Sequence, residues 1–525
     1  MELELKYHPD QKFVNYLCSG LHHGFDTMIP SVSLPNKECK NLLSARKSPS
    51  DVQELIDKEC QQGFLYGPFM KPPFDEYRVS PLGLVIGKYS GKKRLIVDLS
   101  SPHEDPETAS INDLIDKEAC SLTYVKIDDA IKAIQQYGKG ALMCKMDISN
   151  AFKNLPIKTS QWPYFCVKWK NLYYVYVRLV FGCRSSPKIF DTLSQAVCWI
   201  ACNNYGIETI FHLLDDFLTV DIPDTCTGNR TMALLTLLFR RLHIPLAQHK
   251  CIGPTTCLEY LGIILDSHSM EARLPLDKVH RILQFIEKLL GKSGCTKLEL
   301  LQLLGHFNFA SRVILPGRSF VSHLIHLSTT VKGLHQYVYL DKHCQDDLRM
   351  WYSFLQDWNG VSLFYDNVLT SSMDMELHTD ASLVGFGGIF RTQWFCSAWP
   401  KEIPLVEDGD LSMAFRELYP IVAAAVLWGK YWTAKRIIFV CDNLSAVYIL
   451  QKGRSKCMAI MKLMRTLTWT AAVCNFHFTA RHLAGIENKT ADRLSRLLLQ
   501  QFRQLAPEAD MEPQICPTPH QLIWD

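Results

Sequence analysis

The stretch "FHLLDDFLTV" at residues 211–220 sets two adjacent carboxylates, Asp215 and Asp216, inside a run that otherwise reads as buried strand. Neighbouring anions repel, and burying them unpaired is costly. The pair therefore either occupies a solvated turn or is held by something positive. Its flanks, "FHLL" and "FLTV", suit the arms of a strand–turn–strand. Upstream, "ALMCKMDISNAF" at 141–152 has a strand pattern that stops near Asp147. If the two elements are neighbours in one sheet, three carboxylates converge. Hard oxygen ligands of this kind favour Mg²⁺ or Mn²⁺. Two such ions about 3.5–4 Å apart stabilise the attacking and leaving oxygens of phosphoryl transfer. The plainer alternative is an ordinary turn at 215–216 and a local cap at Asp147.

A second acidic set lies near the C-terminus. Asp380 falls in the strand–turn–strand pattern "MELHTDASLVGFGGIF", Glu417 in the helical "AFRELYPIVAAAVLWGKYW", Asp442 at the end of a strand in "RIIFVCDNLSAVYIL", and Asp492 near the start of the helical "NKTADRLSRLLLQQF". Four acids on four elements are enough for another two-metal site. His482, ten residues before Asp492, suits proton movement or product release. The alternatives are a solvated helix face at Glu417, a helix cap at Asp442–Asn443, and a structural histidine.

Composition bounds these readings. A length of 525 residues allows about three or four domains, and a hydrophobic fraction of 47% supports large cores. A net charge of +3, from 56 basic and 53 acidic residues, neither implies nor excludes a nucleic-acid partner. The 19 cysteines are scattered without a C-x-x-C pair, as expected of reduced intracellular thiols. "MELELKYHPDQKF" carries charges where a signal peptide needs an apolar core, and "IVAAAVLW" at 421–428 is too short to span a bilayer. The expected location is the cytoplasm or nucleus, away from membranes.

Between the acidic sets, residues 52–61 read as helix, and residues 82–100 as a β-hairpin with Lys92, Lys93 and Arg94 at its tip. "LYYVYVRLVFG" is a strand turning at Gly182, followed by a helix over 187–203. From Val279 apolar residues recur at i, i+3, i+4 and i+7, which makes 266–340 a helical unit. The Pro-rich end, "APEADMEPQICPTPH", is expected to be loose.

Taken together, "KMDISNAF" (145–152), "LVFGCRSSPKIF" (179–190) and "LLDDFL" (213–218) resemble the palm motifs of a reverse transcriptase. "SPLGLVIGKYSGKKRLIVDLS" resembles its fingers, and "LAQHKCIGPTTCLEYLGIILD" its next palm motif and primer grip. "HTDAS", "FRELYPIVAA", "VCDNLSAV" and "HLAGIENKTADRLSR" resemble a retroelement ribonuclease H. Two multi-part signatures in tandem span about residues 50–500. "FVNYLCSGLHHGFD", "LIVDLSSP…SINDLID" and the "N-x-x-ADRLSR" ending further resemble DIRS-type, tyrosine-recombinase retrotransposons.

The resemblance implies an α+β right-hand polymerase followed by an α/β ribonuclease H-like domain. The expected parts are an N-terminal extension (1–50), fingers and palm (51–265), a helical thumb (266–340), a connecting segment (341–374), the ribonuclease H-like domain (375–500) and a flexible tail (501–525). Asp147, Asp215 and Asp216, with the Ile148 carbonyl, would hold two Mg²⁺ or Mn²⁺ ions, and Asp380, Glu417, Asp442 and Asp492 two more. Lys88 and Arg94 would meet nucleotide phosphates. Phe152 would exclude a 2′-OH, Gly182 would admit the template–nucleotide pair, and Lys250 would protonate pyrophosphate. Implied partners are an RNA template, a DNA primer, RNA–DNA hybrid and dNTPs, with a recombinase possible on another chain. Leu213 and Phe181 stand where many retroviral enzymes have Tyr and Gln. A catalytically silent, retroelement-derived nucleic-acid-binding protein is the competing expectation.

Overall fold

The strand Leu142–Asp147 pairs antiparallel with Asp216–Asp221 on one side and with Ile252–Thr255 on the other. Asp216–Asp221 then folds back on Ile210–Leu213, completing a four-stranded sheet. Residues 217–221 are all buried, so this strand is covered on both faces, with Thr219 and Asp221 enclosed beside Phe217, Leu218 and Val220. Helices Ser186–Tyr205 and Thr225–Arg241 pack against the sheet, and Phe217 meets Phe239 edge-on at 5.3 Å. Asp224 caps the second of these helices by accepting from the amides of Cys226 and Thr227.

These elements belong to the first of two units, Met1–Leu258 and Glu259–Asp525. The computed structural model describes all residues except 32–34, 88–90, 104–107, 357–360, 365–367, 402, 404–412, 456, 483–487 and 524–525, and only the backbone at 361–363. A second sheet in the first unit runs in the order Lys37–Glu38, Arg78–Ser80, Cys166–Trp169, Leu172–Tyr176, Leu65–Phe69. The expected hairpin is present as Leu82–Ile86 paired with Lys93–Val97. The first fifty residues are more than an extension. Helix Gln11–His23 is capped by Asp10, and Leu5, Leu17, Phe25, Ile29 and Ala45 join the same core as Met146 and Phe217. Those apolar side chains have surface to bury, and this core is where it goes.

In the second unit, the helix anticipated from Val279 spans Leu276–Leu290 and is followed by Lys297–Ala310, whose N-terminus carries a Thr296–Glu299 capping box. The region is less purely helical than its periodicity suggests. Ile263–Asp266 and Glu271–Arg273 form an antiparallel ladder, and Gly294–Thr296 pairs with Tyr337–Tyr339. Phe307 stacks on Trp351 of helix Lys342–Gln356 at 4.2 Å. Further along, Leu377–Ala381, Gly385–Phe390 and Gln393–Ala398 form an antiparallel sheet. Leu369–Ser371, Arg436–Cys441 and His477–His482 form a parallel one. Helix Met413–Trp428, apolar almost all round, is buried among them.

The C-terminal segment differs from its reading as a loose tail. Phe502, Ala506 and Ala509 are buried against Trp394, and Leu522 enters the main core of this region. Arg503 donates to the carbonyls of Ala509, Asp510 and Met511, satisfying backbone that a loose tail would leave to water. The single final helix is in fact two, Lys489–Ser495 and Leu499–Leu505, broken at Leu497 with φ +60°.

Candidate active sites

Antiparallel register places Asp216, the first residue of its strand, opposite Asp147, the last of its own. Asp215 occupies the connecting turn with Leu214, whose φ of +54° is strained for a branched side chain. Two hydrogen bonds hold that turn. The Ser194 hydroxyl donates to the Leu214 carbonyl at 2.8 Å, and the Ile148 amide donates to the Asp215 carbonyl at 3.0 Å. Asp147, Ile148, Asp215 and Asp216 are thus brought to one point.

Lysines answer part of the charge. Lys250 Nζ donates to both Asp147 oxygens, at 2.9 and 2.8 Å, and Lys145 Nζ lies 3.1 Å from Asp216 Oδ2. Asp216 Oδ1 is buried without a hydrogen-bond partner. Burial raises the Asp215 carboxyl above its ordinary range, with the Asp147 charge adding to the rise. Burial also pushes Asp216 up to about 6; Lys145 opposes that rise, and Asp147 and Asp215 add to it. An oxygen-only ligand set with an orphaned buried oxygen and residual repulsion fits a hard divalent cation.

The surrounding residues are more varied in placement. Arg94 is exposed on the hairpin strand Lys93–Val97, and no carboxylate among the described residues pairs with it. Lys88 lies outside the described residues. Phe152 is only 5% exposed, with its ring 4.6 Å from that of Phe181 and 5.5 Å from that of Phe190. The exposed aromatic surface here belongs to Phe181, at 55%. Gly182 has φ +102°, and a Cβ on it would stand 2.6 Å from the Val97 carbonyl oxygen. The need for glycine is therefore met inside the fold, by close approach to the hairpin. Asn112 knits this region together, donating to Ser100 Oγ and to the Gly182 carbonyl while accepting from the Arg184 amide.

The second cluster depends on close approach of a helix to a sheet. A Cβ on Gly387 would lie 2.6 Å from Leu494 Cβ, so the glycine lets helix Lys489–Ser495 rest on the strand. Ser495 Oγ consequently donates to Asp380 Oδ2 at 2.5 Å, and the Ser382 hydroxyl donates to the Ser495 carbonyl. Asn488 Nδ2 donates to the Thr379 carbonyl. Asp492 is held by Arg496 Nε at 2.7 Å and Arg493 Nη1 at 3.1 Å.

Glu417, Cys441 and Asp442 present ligand atoms within 4.8 Å of one another. Glu417 is buried at 6% exposure and does not occupy a solvated face. Burial, then the charges of Asp380 and Asp442, push its carboxyl up to about 9. Burial pushes Asp380 to about 6 against its bond from Ser495, and Asp492 and Asp442 add to the rise. The four acids therefore share one electrostatic environment, and four oxygens that cannot all ionise comfortably fit a divalent cation. Cys441 offers a soft sulfur beside hard carboxylate oxygens, so the donor set suited to Mg²⁺ or Mn²⁺ is the acids; burial pushes its thiol up to about 12. The helix cap is Asn443, which accepts from the Ala446 amide. His482 pairs in register with Cys441, and its Nε2 sits 3.0 Å from the Asp442 carbonyl oxygen.

Lys145, Ser194, Ser495 and Arg496 were not singled out by sequence reasoning. Lys145 and Arg496 left usable signals, the first two residues before Asp147 on a strand and so on the same face, the second four residues after Asp492 in a helical pattern.

No family model and no curated protein sequence matches the chain. Among solved structures, its fold is similar to a foamy viral protease–reverse transcriptase in complex with double-stranded DNA. That match has a TM-score of 0.50 and 14% identity, and covers 87% of this chain and 73% of that one. A second structure of the foamy viral protein with double-stranded DNA gives a TM-score of 0.48 at 15% identity, over 92% and 96% of the two chains. Its complex with RNA/DNA hybrid gives 0.46 at 14%, over 91% and 62%. At these identities the likeness is one of fold. No helix among the described residues is long and apolar enough to cross a membrane.

Proposed function

We propose that this chain is an RNA-directed DNA polymerase that copies retroelement RNA into DNA, with a C-terminal ribonuclease H that degrades the RNA strand of the resulting hybrid. The observation that carries the reading is the register setting Asp216 opposite Asp147, with Asp215 in the adjoining turn. The second carboxylate cluster, around Asp380, gives it independent support. The source element most resembles the DIRS type. In this reading residues 51–265 are fingers and palm, 266–340 thumb, 341–374 a connection and 375–500 the ribonuclease H.

When bound at the two clusters, Mg²⁺ or Mn²⁺ would supply Lewis acidity, activating the attacking oxygen and neutralising the leaving one. Asp147, Asp215 and Asp216 would hold the ions of the first site. Asp380, Glu417, Asp442 and Asp492 would hold those of the second. Arg94 offers a guanidinium to the triphosphate of a dNTP, a match of planar donors to a dense anion. Phe152, backed by Phe190, walls the sugar position against a 2′-OH. Lys250, an ammonium on Asp147, is the group to pass a proton to leaving pyrophosphate. His482, anchored on the Asp442 carbonyl, is the corresponding proton carrier at the second cluster.

The test is primer extension on a primed RNA template with dNTPs, rNTPs and Mg²⁺, alongside cleavage of a labelled hybrid. Extension with dNTPs and cleavage of the RNA strand are expected. Binding of both substrates with neither reaction would leave the silent binding protein as the correct account.

A further inference from the structure

The second unit contains a cavity of ≈ 340 Å³ that shares no residue with either carboxylate cluster, and its walls include Arg318, Ser319, Val321, Ser322, Lys452 and Arg454. One wall comes from the turn Leu315–Phe320 and the start of helix Ser322–Thr329, the other from the end of helix Leu444–Lys452. The two are in close contact. Gly453 has φ +66°, and a Cβ there would stand 2.3 Å from Ser319 Oγ. That contact fixes Lys452 and Arg454 on one side of the cavity and Arg318 on the other.

The lining contains three cations and no carboxylate. Among the described residues no Asp or Glu pairs with Arg318, Lys452 or Arg454, and Lys452 Nζ lies over the face of Tyr448, 5.6 Å from the ring centroid. Converging cations in a concave wall focus a positive potential. Ser319 and Ser322 add hydroxyl donors. Helix Ser322–Thr329 starts behind Val321, which has no polar side chain to cap it, so its N-terminus adds a positive partial charge on this side. Guanidinium forks, an ammonium and hydroxyls around one space match the oxygens of a phosphate group.

Resting on the function proposed above, we propose that this cavity seats one backbone phosphate of the RNA–DNA hybrid. It holds the duplex at a point remote from the reacting phosphodiester and independently of base sequence. Free inorganic phosphate offers the same chemistry, so the experiment separates the two sources.

Hybrid binding by the full chain is measured by fluorescence anisotropy in EDTA, which prevents cleavage, over about 50–200 mM salt. The wild type is compared with Arg318→Gln/Lys452→Gln/Arg454→Gln and with Arg318→Lys/Arg454→Lys. Thermal melts of each confirm folding, since all three side chains are exposed. The glutamine variant is expected to bind more weakly, with the slope of log K against log salt shallower by about 0.9, the loss of one phosphate contact. The lysine variant is expected to keep the wild-type slope. Equal affinity and slope in the wild type and the glutamine variant would overturn the inference while leaving the proposed function standing. A wild type that binds no hybrid at any salt concentration would overturn both. Inorganic phosphate binding that the glutamine variant loses, with hybrid binding unchanged, would reassign the cavity to a free anion and overturn the backbone assignment.

Discussion

Lys145 and Lys250 explain how two adjacent aspartates can stand in an apolar strand pair beside a third. Each lysine meets one carboxylate, yet Asp215 remains raised and Asp216 Oδ1 remains unpartnered. The charge is offset only in part, which is the condition expected of a site completed by a cation. Asp215→Asn should abolish primer extension and leave hybrid cleavage measurable, whereas Asp442→Asn should do the reverse. Each loss should exceed the roughly 100-fold that removing even an outer partner of a metal ligand costs. Paired extension and cleavage assays on both variants decide it, and a parallel loss of both activities in either variant would contradict two separate sites. At this scale Asp147, Asp215, Asp216 and Asp442 were legible in sequence because each sits at a strand end or in the adjoining turn, whereas Glu417 and Asp492 lie within helices, where local patterning does not set a ligand apart from a solvated acid. Not all the side chains that hold them were legible. Ser495 reaches Asp380 only through the packing of a helix on a sheet, and no local period reports that.

Gly387 is where element packing becomes chemistry. Gly387→Ala would force a Cβ to within 2.6 Å of Leu494 Cβ and push helix Lys489–Ser495 off its strand, carrying Ser495 and Asp492 with it. Overpacking of this kind costs about 1–3 kcal/mol. Hybrid cleavage should fall while primer extension is retained, and a thermal melt should show the lost stability. A second element-level device joins helix Ser322–Thr329, helix Lys342–Gln356 and helix Met458–Val473. His323 Nδ1 lies 3.0 Å from Asp347 Oδ2, and buried Arg465 approaches Asp347 at 3.8 Å and Asp346 at 3.5 Å. His343 stacks on His323. The bond to Asp347 raises His323 above its ordinary value, with Asp341 adding to the rise and burial and Arg465 opposing it. Burial raises Asp347 as well. For both groups the folded state favours the proton. The contribution of Asp347 is therefore lost as pH rises from about 4 through its raised carboxyl value, and that of His323 is present below about 6.5 and lost as pH rises through the raised histidine value. His323→Gln should flatten the fall in melting temperature between about pH 6 and 8, and an unchanged slope would show that the pair does not couple these helices.

At the scale of the molecule, the sequence made the order of elements readable but misjudged the ends. Proline-rich composition suggested a loose C-terminus, although Phe502, Ala506, Ala509 and Leu522 carry apolar surface that finds cores to bury it. Composition averages over a segment, whereas packing depends on a few spaced side chains. The two carboxylate clusters make the final prediction, because both leave the metal-free protein with groups that resist ionisation. Asp216 and Asp380 are pushed to about 6 and Glu417 to about 9, each chiefly by burial. The folded chain thus holds protons that the unfolded chain releases near pH 4, so its stability should fall as pH rises from about 5 to 9. A divalent cation favours the ionised carboxylates and should reverse this trend. At about 100 times its dissociation constant, Mg²⁺ should add about 2.7 kcal/mol per independent site and flatten the pH profile, with EDTA restoring the fall. Asp215→Asn/Asp442→Asn should lose most of the increment. Calorimetry at about pH 8 reads it directly. A wild-type melting temperature indifferent to Mg²⁺ there would mean that burial alone, without a bound cation, is how this protein keeps its acidic clusters.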